Sequence, residues 1–170
     1  MEIVCEVNVL TTVKNLVRRT RQHHAIEHAT LHVLAARFPH RRMAGYSDPG
    51  GFTIFSDLPL ESVRRGVSEA LLQLQSGQAE LAIHPNCGTN LAVTALLATA
   101  AAIVGGGRSR DPLARFAGGL ALVMPALVLA QPLGLRVQRY TTLAAVSDCW
   151  IKDMRAIDGG LIKAVRVEFA

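Results

Sequence analysis

Aromatic side chains are scarce. One Trp, two Tyr and five Phe make up 5% of the 170 residues. No stretch interleaves them with basic residues in the way single-strand and RNA binders use for base stacking. The net charge is +5 and the pI about 9.6, yet nucleic acid is not an expected partner. Cysteine is also scarce and odd in number: Cys5, Cys87 and Cys149 stand far apart. That argues against a secreted disulfide framework and fits a reducing compartment. Charged residues are only 18%, against an apolar fraction of 50% and a mean hydropathy of +0.28. Such a balance directs attention to membrane segments. The N-terminal stretch MEIVCEVNVLTTVKNLVRR lacks the charged start, apolar stretch and small-residue cleavage site of a signal peptide. The N-terminal part is therefore expected to stay in the cytoplasm, with both termini inside. There is no internal repeat.

The chain is long enough for one domain with a real core, or one domain plus an appendage. Residues 2–9 fit either a strand or the start of a helix. From about Thr12 to Phe38 the pattern is helical, with Leu16, Leu31 and Leu34 as apolar markers and Lys14, Arg18, Arg19 and Arg21 basic; Pro39 closes it. A D-P-G-G turn between Met43–Tyr46 and Phe52–Phe55 predicts a β-hairpin. Pro59 opens a second helix with Leu60, Val63, Val67, Leu71 and Leu74 as its buried stripe, and Gly77 stops it. Ala79–Ile83 fits a short strand leading into HPNCGTN. Near the C-terminus, Cys149–Ala156, an I-D-G-G turn and Lys163–Phe169 read as a second hairpin. There Val165, Val167 and Phe169 alternate with Arg166 and Glu168, as in a strand with one buried face.

Between these parts the character changes. LAVTALLATAAAIVGGG carries no charge, and LARFAGGLALVMPALVLAQPLGL carries one arginine near its start, with R-S-R-D-P between them. Two such runs joined by a short polar turn predict a transmembrane hairpin, with Pro125 kinking the second helix and small residues allowing close approach. A buried hairpin in a soluble core is the competing reading. Arg136 and Arg139 follow the second run while Arg108, Arg110 and Arg115 flank the turn, so the positive-inside count does not fix the orientation. The expected fold class is α+β: a small cytoplasmic domain with a long N-terminal helix and β-hairpins, interrupted by a two-helix transmembrane hairpin. The expected parts are residues 1–89, carrying the motifs below, the hairpin 90–135, and 136–170, which completes the cytoplasmic domain.

Two motifs can carry chemistry. HHAIEH contains H-x-x-E-H, with His24 and His28 at i and i+4 on one helix face, where two imidazoles can grip one ion. Glu27 borders that face and can take a proton from a metal-bound water. This is the inverted zinc-protease order. His23 points elsewhere. His32, four beyond His28, is a further ligand, a supporting group or neither, and His40 is solvated beside Arg41 and Arg42. The second motif, HPNCGTN, holds His84 and Cys87 at H-x-x-C spacing, with Asn90 or Thr89 able to cap the following helix. A helix N-terminus there favours a Cys87 thiolate. Zinc takes three or four ligands; the first motif supplies two and the second the rest. The expected metal residues are His24, His28, His84 and Cys87, with Glu27 catalytic and zinc, or another divalent ion, as cofactor. Asp48 and Glu69 are outer candidates.

RQHHAIEHATLHVL, AGYSDPGGF and LAIHPNCGTNLAVTALL resemble the signature blocks of a family of uncharacterised bacterial membrane proteins, from about residue 18 to the end of the apolar hairpin. A larger bacterial membrane family is similar in two places, H-x-x-E-H and a downstream H-P-R-C-G-T block; here Asn86 stands in place of that arginine. The resemblance implies that the two motifs belong together in a bacterial cytoplasmic membrane protein. It implies no activity.

Three functions follow from the residues. The first is a membrane-embedded zinc hydrolase acting on a protein or peptide. The second is a non-catalytic scaffold or partner subunit stapled by a His/His/His/Cys metal, with Glu27 orienting a histidine. The third is a metal-free enzyme with Cys87 as nucleophile and His24 or His84 as base. The lipid bilayer is the expected partner, a homo-oligomer is a further one, and the basic stretch Lys14–Arg21 can lie along anionic headgroups.

Overall fold

The computed structural model describes residues 2–107, 110–159 and 163–170, with the side chains of 2–8 and 158 excepted. Arg108 and Ser109 of the R-S-R-D-P turn, Gly160 of the I-D-G-G turn and the Cys5 side chain lie outside the described residues. The chain divides into two units, Met1–His84 with Thr142–Ala170, and Pro85–Thr141.

The first unit is built on helix α1, Glu2–Arg37. It absorbs residues 2–9, which fitted strand or helix equally. Ala25, Ile26, Ala29 and Leu34 are buried along its second half. Its first half outruns that cover, so Val9, Leu10, Val13, Leu16 and Val17 are exposed. Leu16, an apolar marker of the helical pattern, is therefore a surface residue.

Strands β1 (Ala44–Asp48) and β2 (Gly51–Phe55) form the D-P-G-G hairpin, with Asp48 opposite Gly51. The Asp48 carboxylate accepts from the Gly50 N–H at 2.8 Å and closes the turn. Gly51 has φ 154°, inside the region that favours glycine. Helix α2, Leu60–Gln75, starts after Pro59 and buries Val63, Val67, Leu71 and Leu74 as its 3.6-residue spacing demands. Gly66 lets α2 approach α1, since a Cβ there would run into Leu34. Gly77, with φ 99°, turns the chain out of the helix.

Residues Ala79–Ala82 form a short 3-10 turn, not the expected strand. Five mostly apolar residues fit either form. Here Leu81 and Ile83 bond back to Gln78 and Glu80, closing a turn. Strands β3 (Ile151–Asp158) and β4 (Lys163–Phe169) complete an antiparallel sheet in the order β1-β2-β4-β3. Phe52 and Ile54 of β2 pair with Val167 and Val165 of β4, and all four are buried under α1 and α2. This is the one-faced strand that the alternation of 165–169 predicts.

The second unit is two helices, α3 (Gly88–Gly106) and α4 (Pro112–Thr141). Both are long and apolar enough to cross a membrane by length and composition, and 6% of each apolar window is buried. That low value separates them from core helices of a soluble domain, which are mostly covered. They run antiparallel: Gly105 lies against the Gly118 backbone near one end, and Gly134 lies against Asn90 near the other. Pro125 and Pro132 both sit within α4.

Candidate metal centre

Three histidines on α1, His24, His28 and His32, recur every four residues and so line one face. His84, which follows the 3-10 turn, meets that face. The rings of His24 and His28 pack edge-on with centroids 4.3 Å apart, and their ring nitrogens come within 4.8 Å of each other. His84 lies 5.8 Å from His28 and 4.7 Å from His32, ring centre to ring centre. His84 therefore stands with His32 more closely than with the H-x-x-E-H pair.

Backbone carbonyls orient two of these rings. The His28 Nδ1 lies 2.7 Å from the Ala82 carbonyl oxygen. A carbonyl only accepts, so Nδ1 carries the proton and Nε2 holds a lone pair. That Nε2 is buried and has no hydrogen-bond partner among the described residues. One turn on, the His32 Nε2–H donates to the next carbonyl, Ile83, at 2.8 Å. The last residue of the 3-10 turn and the one after it thus set the tautomers of two histidines. Burial first, then the neighbouring His32 and His28, push His84 down to about 4, so it is neutral near pH 7.

Glu27 is placed differently. It is 5% exposed, and its carboxylate accepts a hydrogen bond from the Ser47 hydroxyl of β1. It lies against Gly45, where a Cβ would collide with it. The glycine and serine of A-G-Y-S-D thus form a cradle for the carboxylate. No local pattern marks these two residues as its partners.

The remaining histidines and outer acids have other roles. His23 faces the sheet: its Nδ1–H donates to the Asp48 carbonyl at 2.9 Å and its ring stacks on Phe169. Burial holds its pKa below the usual histidine value. The Asp48 carboxylate takes a two-pronged hydrogen bond from Arg166, at 2.6 and 2.9 Å. That bond is the main cause of its lowered pKa. Glu69 pairs with Arg37. His40 is exposed.

In the second unit Cys87 is the N-cap of α3, and its sulfur accepts from the Thr89 N–H at 3.4 Å. The cap expected from Asn90 or Thr89 is supplied by the cysteine itself. Asn90 instead sits inside the hairpin, donating to the Pro85 carbonyl at 2.6 Å and accepting from the buried Gln138 amide at 2.8 Å. A cleft of about 470 Å³ between α3 and α4 is lined by Cys87, Asn90, Leu91, Thr94, Leu127 and Gln131, among others. Cys149, in the first unit, is buried, and burial raises its thiol to about 11, which makes it inert.

No solved structure matches the chain. An uncharacterized protein of Picosynechococcus sp. is 38% identical over 136 residues, 73% of this chain. The chain spans 65% of that relative's length. The model of the domain of unknown function DUF6391 matches residues 19–154, which include the α1 histidine face, HPNCGTN and both apolar helices, and the chain belongs to that family.

Proposed function

We propose that the chain is a membrane-anchored zinc protein whose H-x-x-E-H face binds the metal, acting as a hydrolase of peptides or proteins. One observation carries the metal reading: the buried His28 Nε2 has no hydrogen-bond partner among the described residues, while Nδ1 is held by the Ala82 carbonyl. An imidazole fixed through one nitrogen and free at the other is how protein zinc ligands are prepared. His24, one turn before it, supplies the second nitrogen. The H-x-x-C spacing of His84 and Cys87 in the sequence makes Cys87 the candidate third ligand. Three protein ligands would leave a fourth position for water, as catalytic zinc requires. Glu27, next to His28 in sequence, would be the base for such a water.

The hairpin crosses the bacterial cytoplasmic membrane with both termini on the cytoplasmic side. At about 1.5 Å per residue, the 19 residues of α3 span a hydrocarbon layer of about 30 Å. Their largely uncovered apolar surface supports lipid as their surroundings.

A second reading is favoured by the Ser47 hydrogen bond that holds the buried Glu27 carboxylate. A carboxylate fixed in that way orients the metal site without moving protons, and zinc is then a structural staple. Two measurements separate the readings. Zinc content by elemental mass spectrometry is compared between the detergent-purified chain and the His24→Ala/His28→Ala variant. About one zinc per chain, lost in the variant, supports the metal site; no zinc in either, after zinc is supplied, ends both metal readings and leaves Cys87 chemistry. Glu27→Gln with zinc retained and peptidase activity lost supports catalysis; retained activity overturns it.

A further inference from the structure

We propose that His32 and His84 form a second, weaker divalent-metal site, of the zinc class, beside the H-x-x-E-H pair. A tetrahedral zinc with bonds of about 2.0–2.1 Å holds two imidazole nitrogens about 3.3 Å apart, which sets their ring centres about 5 Å apart. The His32–His84 separation of 4.7 Å meets that requirement, as does the 4.3 Å of His24–His28. The 5.8 Å between His28 and His84 exceeds it. The four rings therefore sort into two pairs.

The backbone holds one ring of each pair. Ala82 holds His28 through Nδ1, and Ile83 holds His32 through Nε2. Each bond fixes a tautomer whose other nitrogen is a lone-pair donor. His84 is half-buried. With two protein nitrogens and solvent water in the other positions, the second site binds more weakly than the first. It stands whether or not Glu27 acts as a base, because it uses neither Glu27 nor His24.

The test is a Zn2+ titration of the full, detergent-purified chain after removal of metal, by calorimetry and by competition with a chromophoric chelator. Wild type is expected to take two equivalents of different affinity. His32→Gln and, separately, His84→Gln are expected to weaken the weaker equivalent by about tenfold or more and leave the tighter one in place. His24→Ala/His28→Ala is expected to do the reverse. A single equivalent in wild type overturns the proposal. So does a second equivalent that survives unchanged in both His32→Gln and His84→Gln. Loss of the tight equivalent alone in the His24/His28 variant supports the first site independently, so the two readings fail separately. His84→Gln changes only a half-buried side chain and serves as the variant whose folding is least disturbed.

Discussion

The Nδ1–H of His28 donates to the carbonyl oxygen of Ala82 across 2.7 Å, from the second half of α1 to the last residue of the 3-10 turn. That bond joins a helix residue to a segment 54 positions away in the chain. In His28→Ala the imidazole is lost and a buried carbonyl is left without its donor. The expected cost is about 2–4 kcal/mol, from the unpaired carbonyl and the space left behind. Unfolding of the metal-free protein in detergent measures it. An unchanged midpoint would show that the His28–Ala82 bond contributes nothing to the fold without metal.

Gly45 makes a sharper case, because its side chain is a single hydrogen. Gly45→Ala puts a methyl group where the Glu27 carboxylate lies. The carboxylate must swing away from Ser47 and lose that bond. The expected destabilisation is about 1–3 kcal/mol. In the double variant Gly45→Ala/Glu27→Ala the methyl meets no carboxylate, so the two effects should be markedly less than additive. Additive effects in the same unfolding experiment would mean that the strand and the carboxylate are not in contact.

Much of this frame can be read from the chain. The D-P-G-G hairpin, the stripe Val63, Val67, Leu71 and Leu74, and the alternation of Val165, Val167 and Phe169 each show a local period that matches one buried face. The two charge-poor runs stand out by composition alone. What could not be read depends on contacts distant in sequence. Leu16 fits the helical pattern, yet it is exposed with its apolar neighbours Val13 and Val17. Ala79–Ile83 is too short to tell a turn from a strand. His84 fits the metal spacing with Cys87, but its neighbour is His32, because the carbonyls of Ala82 and Ile83 set where the 3-10 turn crosses α1. Gly45 and Ser47 read as ordinary hairpin residues until α1 lays Glu27 over them.

The depressed pKa of His84 gives a signed pH dependence. Its folded value of about 4 lies below the ordinary 6.5. The folded state therefore holds fewer protons than the unfolded state between those limits. The stability of the metal-free protein is present in full above pH 6.5, falls as pH drops toward about 4 and changes no further through this group. His23 is shifted in the same direction by burial and adds to the slope. His84→Gln should flatten the dependence between pH 6.5 and 4 without abolishing it. Unfolding midpoints measured across that range in wild type and variant decide the matter, and identical slopes would place His84 in a wetter setting than its packing against His32 gives it.

The amide pair inside the hairpin governs the thiol at its end. Gln138 donates to Asn90, and Asn90 holds the Pro85 carbonyl, so a single chain of hydrogen bonds runs from α4 to the loop that carries Cys87. Cys87 is buried at the head of α3. Gln138→Leu removes the donor to Asn90 and leaves the Asn90 oxygen unpaired in an apolar setting, which in a helix pair of this kind costs about 1–2 kcal/mol. Asn90 then turns to find another partner, and the Pro85 carbonyl is released. The loop should open more often, and alkylation of Cys87 by N-ethylmaleimide, followed by peptide mass spectrometry, should quicken several-fold. Cys149, in the other unit, should keep its slow rate and report that the first unit is intact. Equal Cys87 rates in wild type and Gln138→Leu would show that the thiol is protected by its cap bond from Thr89 and not by the amide pair.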